Sequence, residues 1–215
     1  MKAGKNRFGI IWLSLAFTVA LIVCRVIYTG RLHYIFLLWN LFLAWVPFIL
    51  SRVLIRQNKA PGWVQFTVLL CWLIFFPNAP YIITDFLHLG ESPEVPQWYD
   101  VLLLFSASWN GLLLGILSLY YVEKFIAAKF NATTATYCIV VFLFLCGFGV
   151  YAGRYLRWNS WEVVTRPGDI AMDTITRILH PRHHPGTWAV TFLLGAFLSL
   201  IYFTVKRLKQ LFVNP

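Results

Sequence analysis

Asp85 and His88 stand three residues apart in the string FFPNAPYIITDFLHL, Phe75 to Leu89. On a helix that spacing puts a carboxylate and an imidazole on one face. There they can converge on a divalent metal or act as an acid–base pair. It equally suits a carboxylate that caps a helix break beside a hydrated imidazole. Tyr81, four residues earlier, is placed to donate to Asp85, and Asn78 sits between Pro77 and Pro80. Asp100, in Trp98-Tyr99-Asp100, can assist that chemistry or neutralise the positive end of the helix it opens. Arg154 and Arg157 are three apart in GRYLRWNSWE and share a helix face. They are placed to pair with Asp85, Asp100 or Glu162, or to grip an anionic lipid head group. They can also simply reach lipid phosphates along their aliphatic stems. A second histidine group, His180, His183 and His184, suits zinc or copper or a solvated, pH-responsive loop, but it matches no standard ligand motif.

These groups sit in a chain that is 60% hydrophobic and 12% charged. Soluble domains average about 45–50% apolar and about 25% charged, so an ordinary soluble domain and a disordered tail are both excluded. The net charge of +10 would otherwise suggest a nucleic-acid partner, which this composition argues against. What remains is an all-α, polytopic membrane protein whose first partner is the lipid bilayer.

Crossing a bilayer takes about 20 mostly apolar residues. Six segments qualify, about 8–30, 34–55, 63–89, 99–125, 133–157 and 187–205, in one integral-membrane domain covering 1–215. None shows the lasting alternation of a barrel strand. The first segment follows Lys2, Lys5 and Arg7 but is too long for a cleaved signal peptide. Cys24, Cys71, Cys138 and Cys146 all fall within spans, without a C-x-x-C pattern, and are expected to pack in the membrane. The third span is broken at Pro77-Pro80. Its uninterrupted stretch from Trp63 to Phe76 reaches only roughly 21 Å, and each proline frees a carbonyl four residues back. Asn78 is placed to cap a half-helix that starts near Pro80. Gly111-x-x-x-Gly115 and Gly149-x-x-x-Gly153 predict close helix packing in the fourth and fifth spans. After the fifth span, Asn159 and Ser160 are placed to cap the next turn. A short amphipathic interfacial helix is expected near 169–180, with Asp169 as N-cap and Met172, Ile175 and Leu179 on one face.

Lys and Arg near the span ends set orientation. Eleven gather with the termini, among them Arg52, Arg56, Lys124, Lys129, Lys206, Arg207 and Lys209; seven, including Arg25 and Arg31, gather on the other side. Both termini are therefore expected in the cytoplasm. All five histidines and every acid but Glu123 then fall outside. Asn131-Ala132-Thr133 matches a glycosylation sequon but falls on the cytoplasmic side, where it would not be used.

The residues Asn40-Leu41-Phe42-Leu43-Ala44-Trp45, Pro77-Asn78-Ala79-Pro80-Tyr81 with Asp85 and His88, Trp98-Tyr99-Asp100, and Arg154 with Arg157-Trp158-Asn159-Ser160-Trp161 together resemble an uncharacterised bacterial family of integral-membrane proteins (domain of unknown function 1361). The resemblance runs from the second span through Trp161, leaving the His180–His184 group beyond it. It implies a multi-spanning bacterial membrane protein and supplies no activity; the expected location is a bacterial cytoplasmic (inner) membrane.

No P-loop, zinc-protease or nucleophile-elbow motif is present, and no internal repeat is evident. Three function classes stay open. The first is an accessory or structural membrane protein whose polar groups pair with one another. The second is a membrane-embedded enzyme acting on a lipid or amphiphile, with Asp85 and His88 binding metal or moving protons. The third is a small-molecule transporter built on the broken span. Asn78, Tyr81, Arg154 and Arg157 are the candidate substrate or anion contacts. Protein partners are unknown.

Overall fold

A computed structural model describes residues 9–57, 59–91, 94–158 and 161–213. Lys2, Lys5, Arg7, Asn159 and Ser160 lie outside the described residues. Among those described there is no strand, and six helical segments are long and apolar enough to cross a membrane. The spans are α1 (Gly9–Thr29), α2 (Phe36–Arg56), the third span from Gly62 to His88, α5 (Gln97–Lys129), α6 (Ala132–Tyr155) and α9 (Pro185–Val213).

Apart from α5, the spans bury one stripe and leave much of the rest apolar and exposed, as a lipid solvent requires. In α1 the buried positions are Leu15, Thr18, Ile22 and Arg25, while Ile10, Leu13 and Phe17 face outward. The spacing of three and four follows one helix face. α5 is the hub of the bundle. Its 33 residues run roughly 50 Å, and α1, α2 and α6 all pack on it. α6 packs most extensively on α9. At the start of α6, Asn131 caps the helix by accepting from the Thr134 N–H at 2.7 Å, which gives the sequon-like triplet a structural role.

The third span is interrupted where the prolines predict, in a different manner. α3 (Gly62–Phe75) ends before Pro77, α4 (Asn78–Tyr81) is a single turn, and Ile82–His88 winds as a 3-10 helix. The backbone stays helical through Pro77 (φ −58°, ψ −24°), and the chain then tightens into the 3-10 winding. Asn78 is not an acceptor cap: its Nδ2 donates back to the Phe75 carbonyl at 2.8 Å, one of the carbonyls near the break that a donor can still reach. This segment is clamped by the two glycine pairs. A Cβ on Gly111 would lie 2.4 Å from the Ala79 carbonyl oxygen, and one on Gly149 2.4 Å from Pro77 Cγ. Gly115 faces Ala79 and Gly153 faces the Tyr81 ring. The glycines of α5 and α6 thus make room for the broken span, which lies between them.

Beyond α6 come α7 (Glu162–Thr165) and α8 (Pro167–Leu179). Asp169 does not cap α8; it lies in the first turn and pairs with Arg166 at 2.9 Å, because Pro167 already begins the helix. α8 is strongly amphipathic, and its faces are arranged unusually. Ile170, Asp173 and Arg177 are half-buried towards the bundle, while Met172, Ile175 and Leu179 are exposed. Arg177 Nη2 donates to Asp173, and Nη1 donates to Thr187 at 3.1 Å, tying α8 to α9. All four cysteines are free.

Candidate functional site

The 3-10 winding decides which side chains meet. With about three residues per turn, positions i and i+3 eclipse, so Asp85 and His88 stack along one line and Thr84 lies beside them. From α6, Arg154 reaches across all three. Its Nε donates to Thr84 Oγ1 at 2.8 Å, its Nη2 to Asp85 Oδ1, and its Nη1 to His88 Nε2 at 3.1 Å. The second carboxylate oxygen of Asp85 accepts from Asn40 Nδ2 of α2 at 2.8 Å. A guanidinium can only donate, so His88 Nε2 is an acceptor and Nδ1 carries the proton, which it gives to Glu91 at 3.0 Å. The Tyr81 ring lies under the guanidinium, 4.7 Å from Cζ. Asp85 is 1% exposed and Arg154 13%, so their pair is nearly dry, while the His88 and Glu91 end of the network meets solvent.

Tyr81 therefore does not donate to Asp85. Four residues span 480° of a three-per-turn winding, which leaves the two about 120° apart. Asp85 and His88 converge on a guanidinium and not on a vacant point between them. Among the described residues no group of three or more His, Cys, Asp and Glu could hold a metal. The donor set at Asp85 and His88 does not fit a divalent ion, because Arg154 already takes the facing lone pairs. Arg154 and Arg157 do not share a face either. α6 ends at Tyr155, and Arg157 is an exposed, left-handed residue (φ 59°). It turns the chain so that the Trp158 N–H folds back to the Ala152 carbonyl at 3.1 Å.

Asp100 lies in the first turn of α5 but belongs to a second centre. Arg25 of α1 grips it with two parallel bonds, Nε to Oδ1 at 2.7 Å and Nη2 to Oδ2 at 3.0 Å, and both side chains are almost wholly buried. Arg25 Nη1 is buried without a partner among the described residues. Arg25 Cζ lies 4.6 Å over the Tyr34 ring, and the Tyr34 hydroxyl donates to the His88 carbonyl at 3.0 Å, linking the two centres. Burial, assisted by the Asp100 charge, pushes the Tyr34 phenol up to about 12. The sign is that of an acid held protonated by the fold. Its stabilising effect is complete below the ordinary value of 10.0 and is lost as pH rises towards about 12. Tyr34→Phe should weaken the fold by about 1 kcal/mol at neutral pH and flatten this alkaline loss, as unfolding midpoints followed from neutral to alkaline pH will show.

Arg25 carries as much structure as any residue named from the sequence, and motif reading passed over it. The available signal was an arginine inside an otherwise apolar run, which is costly unless paired. Asn40, Thr84, Tyr34 and Glu91 complete the centres for the same reason. At the opposite end of the bundle, Glu123 accepts from Tyr202 at 2.8 Å and Lys206 at 2.6 Å. His184 of the second histidine group lies 3.3 Å from Arg177.

Beside the Asp85 network, α2, the third span and α6 leave a partly open cleft of about 350 Å³. Asn40, Asn78 and Tyr81 supply its polar wall, Leu73 and Phe148 part of its apolar wall, and Trp161 part of its roof. Among the described residues no charged one lines it.

A family model described as a protein of unknown function (DUF1361) matches residues 39–201. The match extends past Trp161 and takes in the His180–His184 group, further than the motifs alone suggested. No curated protein and no solved structure matches the chain.

Proposed function

The chain belongs to the DUF1361 family of proteins of unknown function, and on that footing we propose that it is an accessory membrane protein whose Asp85 network is a structural latch. The observation that carries this reading is the closure of the network on itself. Arg154 spends all three guanidinium nitrogens, and Asp85 both oxygens, on protein partners. Three of the five guanidinium N–H groups and both carboxylate oxygens are thereby committed inside the protein, which favours a structural role over the binding of a substrate or an anionic head group. The latch holds the interrupted half of the third span against α2 and α6. Transport is disfavoured by the apolar core around Phe76, Leu119 and Leu143, which lies between this network and the Glu123 pair. The membrane is the cytoplasmic one of a bacterium, with both termini inside, a reading supported by the excess of Lys and Arg at the Glu123 end.

A paired variant tests the latch. Asp85→Ala alone should cost about 3–5 kcal/mol, because it strands a buried guanidinium, whereas Asp85→Leu with Arg154→Met should recover most of that loss. Unfolding in mixed micelles measures both. A double variant that folds well and still rescues a deletion strain supports the latch. One that folds well but fails to rescue moves the role to the second reading, a membrane-embedded enzyme acting on an amphiphile. The feature favouring that alternative is Asn40, which lines the cleft and also touches Asp85. For orientation, a reporter fused at Pro215 should be active only in the cytoplasm, and one within 91–97 only outside.

A further inference from the structure

We propose that the cleft between α2, the third span and α6 is a lateral lipid site that takes one hydrocarbon chain together with an uncharged, hydrogen-bonding neck such as a glycerol hydroxyl or ester. The proposal goes beyond the latch and does not depend on it. Three features of the cleft specify this occupant.

The first is place. The cleft is cut into the side of a bundle whose outer surface is apolar. Among its lining residues Trp39, Leu145 and Trp161 are also substantially exposed, so the apolar lining runs without a break onto the face that meets lipid. α8 extends that surface. Its Ile170 reaches the cleft, while Met172, Ile175 and Leu179 are turned outward, the arrangement of a helix lying in the bilayer interface. What meets the cleft is acyl chain, in the leaflet where α8 lies.

The second is size. A volume of about 350 Å³ falls at the small end of ligand pockets, which run from about 300 to 1,000 Å³. It suits a single chain segment and its neck, not a whole two-chain lipid.

The third is polarity. The Tyr81 hydroxyl and the Asn40 side-chain carbonyl make no hydrogen bond among the described residues, although Asn40 Nδ2 is spent on Asp85. The Leu73 carbonyl lacks its donor four residues on, because that residue is Pro77. A spare donor and spare acceptors, with no charged side chain among the described lining residues and the neighbouring Arg154 and Asp85 charges paired with each other, match a neutral hydroxyl or ester. They do not match a phosphate, which would need a cation the lining lacks.

The probe is a monoacylglycerol carrying a diazirine in its chain, cross-linked to the full chain in phosphatidylcholine nanodiscs and mapped by peptide mass spectrometry. Labelling should concentrate on Leu73–Tyr81 and Leu145–Gly153. Leu145→Trp, at a lipid-facing position, should reduce labelling there to background while leaving label on the exposed faces of α1 and α9. Ile74→Trp blocks the cleft from its other wall and decides the matter if the first variant folds poorly. Tyr81→Phe should weaken competition by unlabelled monoacylglycerol about three- to tenfold. A phosphatidic acid competitor should displace the probe no better than phosphatidylcholine does. Label spread in proportion to exposed apolar surface, or unchanged by both tryptophans, overturns the site. Preferential displacement by phosphatidic acid overturns the neutral neck.

Discussion

Replacing Asp100 by alanine should destabilise the protein by about 3–5 kcal/mol, among the largest effects of any single polar substitution in the chain. Arg25 would then keep a guanidinium that is 1% exposed, with one nitrogen already unpartnered and two more newly stranded. Asp100→Asn should cost less, since an amide oxygen can still accept from Nε. Arg25→Lys should fare nearly as badly as the alanine variant. A point charge on a flexible stem cannot reproduce two parallel bonds and stacking on Tyr34. If Arg25→Leu combined with Asp100→Leu is no more stable than Asp100→Ala alone, measured by reversible unfolding in mixed micelles, the cost is not one of stranded charge and the account fails.

A further large effect belongs to a methyl group. Gly111→Ala should cost towards the upper end of about 1–3 kcal/mol, the range for overpacked cores. Its Cβ would stand 2.4 Å from the backbone oxygen of Ala79, and backbone cannot rotate away as a side chain can. Gly149→Ala should behave alike, because the Pro77 ring it meets at 2.4 Å is rigid. Gly115→Ala, with its nearest contact at 3.3 Å, should be much milder. At Gly62 nothing lies within 4 Å, so alanine there should be neutral or slightly stabilising. Thermal midpoints for the four variants should rank in that order, and equal losses at Gly62 and Gly111 would remove the clamp from the argument.

These cases show where sequence reading ran out. The six helices long and apolar enough to cross a membrane coincide to within a few residues with the apolar segments, except where α5 and α9 run on past them. Spacing four between glycines announced close approach but could not name what approaches. The answer was the broken third span, whose path depends on all three neighbours. The pairing of Arg25 with Asp100 joins residues 75 apart in sequence, and nothing local to either one records the other. Asp85, His88, Arg154 and Tyr81 were legible as a group, since polar residues at membrane depth must find one another. Their roles were not, because the spacing reads as α-helical while the segment winds more tightly. Arg157 and Asn78 were misplaced for the same local reason, as helix ends are set by the last turn's geometry and not by the spacing before it.

That tighter winding has a mechanical side. Relaxing Ile82–His88 to an α-helix would turn His88 by about 60° relative to Asp85 and draw the two closer along the axis by roughly 1.5 Å. Arg154 could not then keep hold of both. The guanidinium therefore works as a torque brace on a wound segment. Loosening it would let the last third of the span untwist and shorten, carrying Tyr81 and the adjoining wall of the cleft with it.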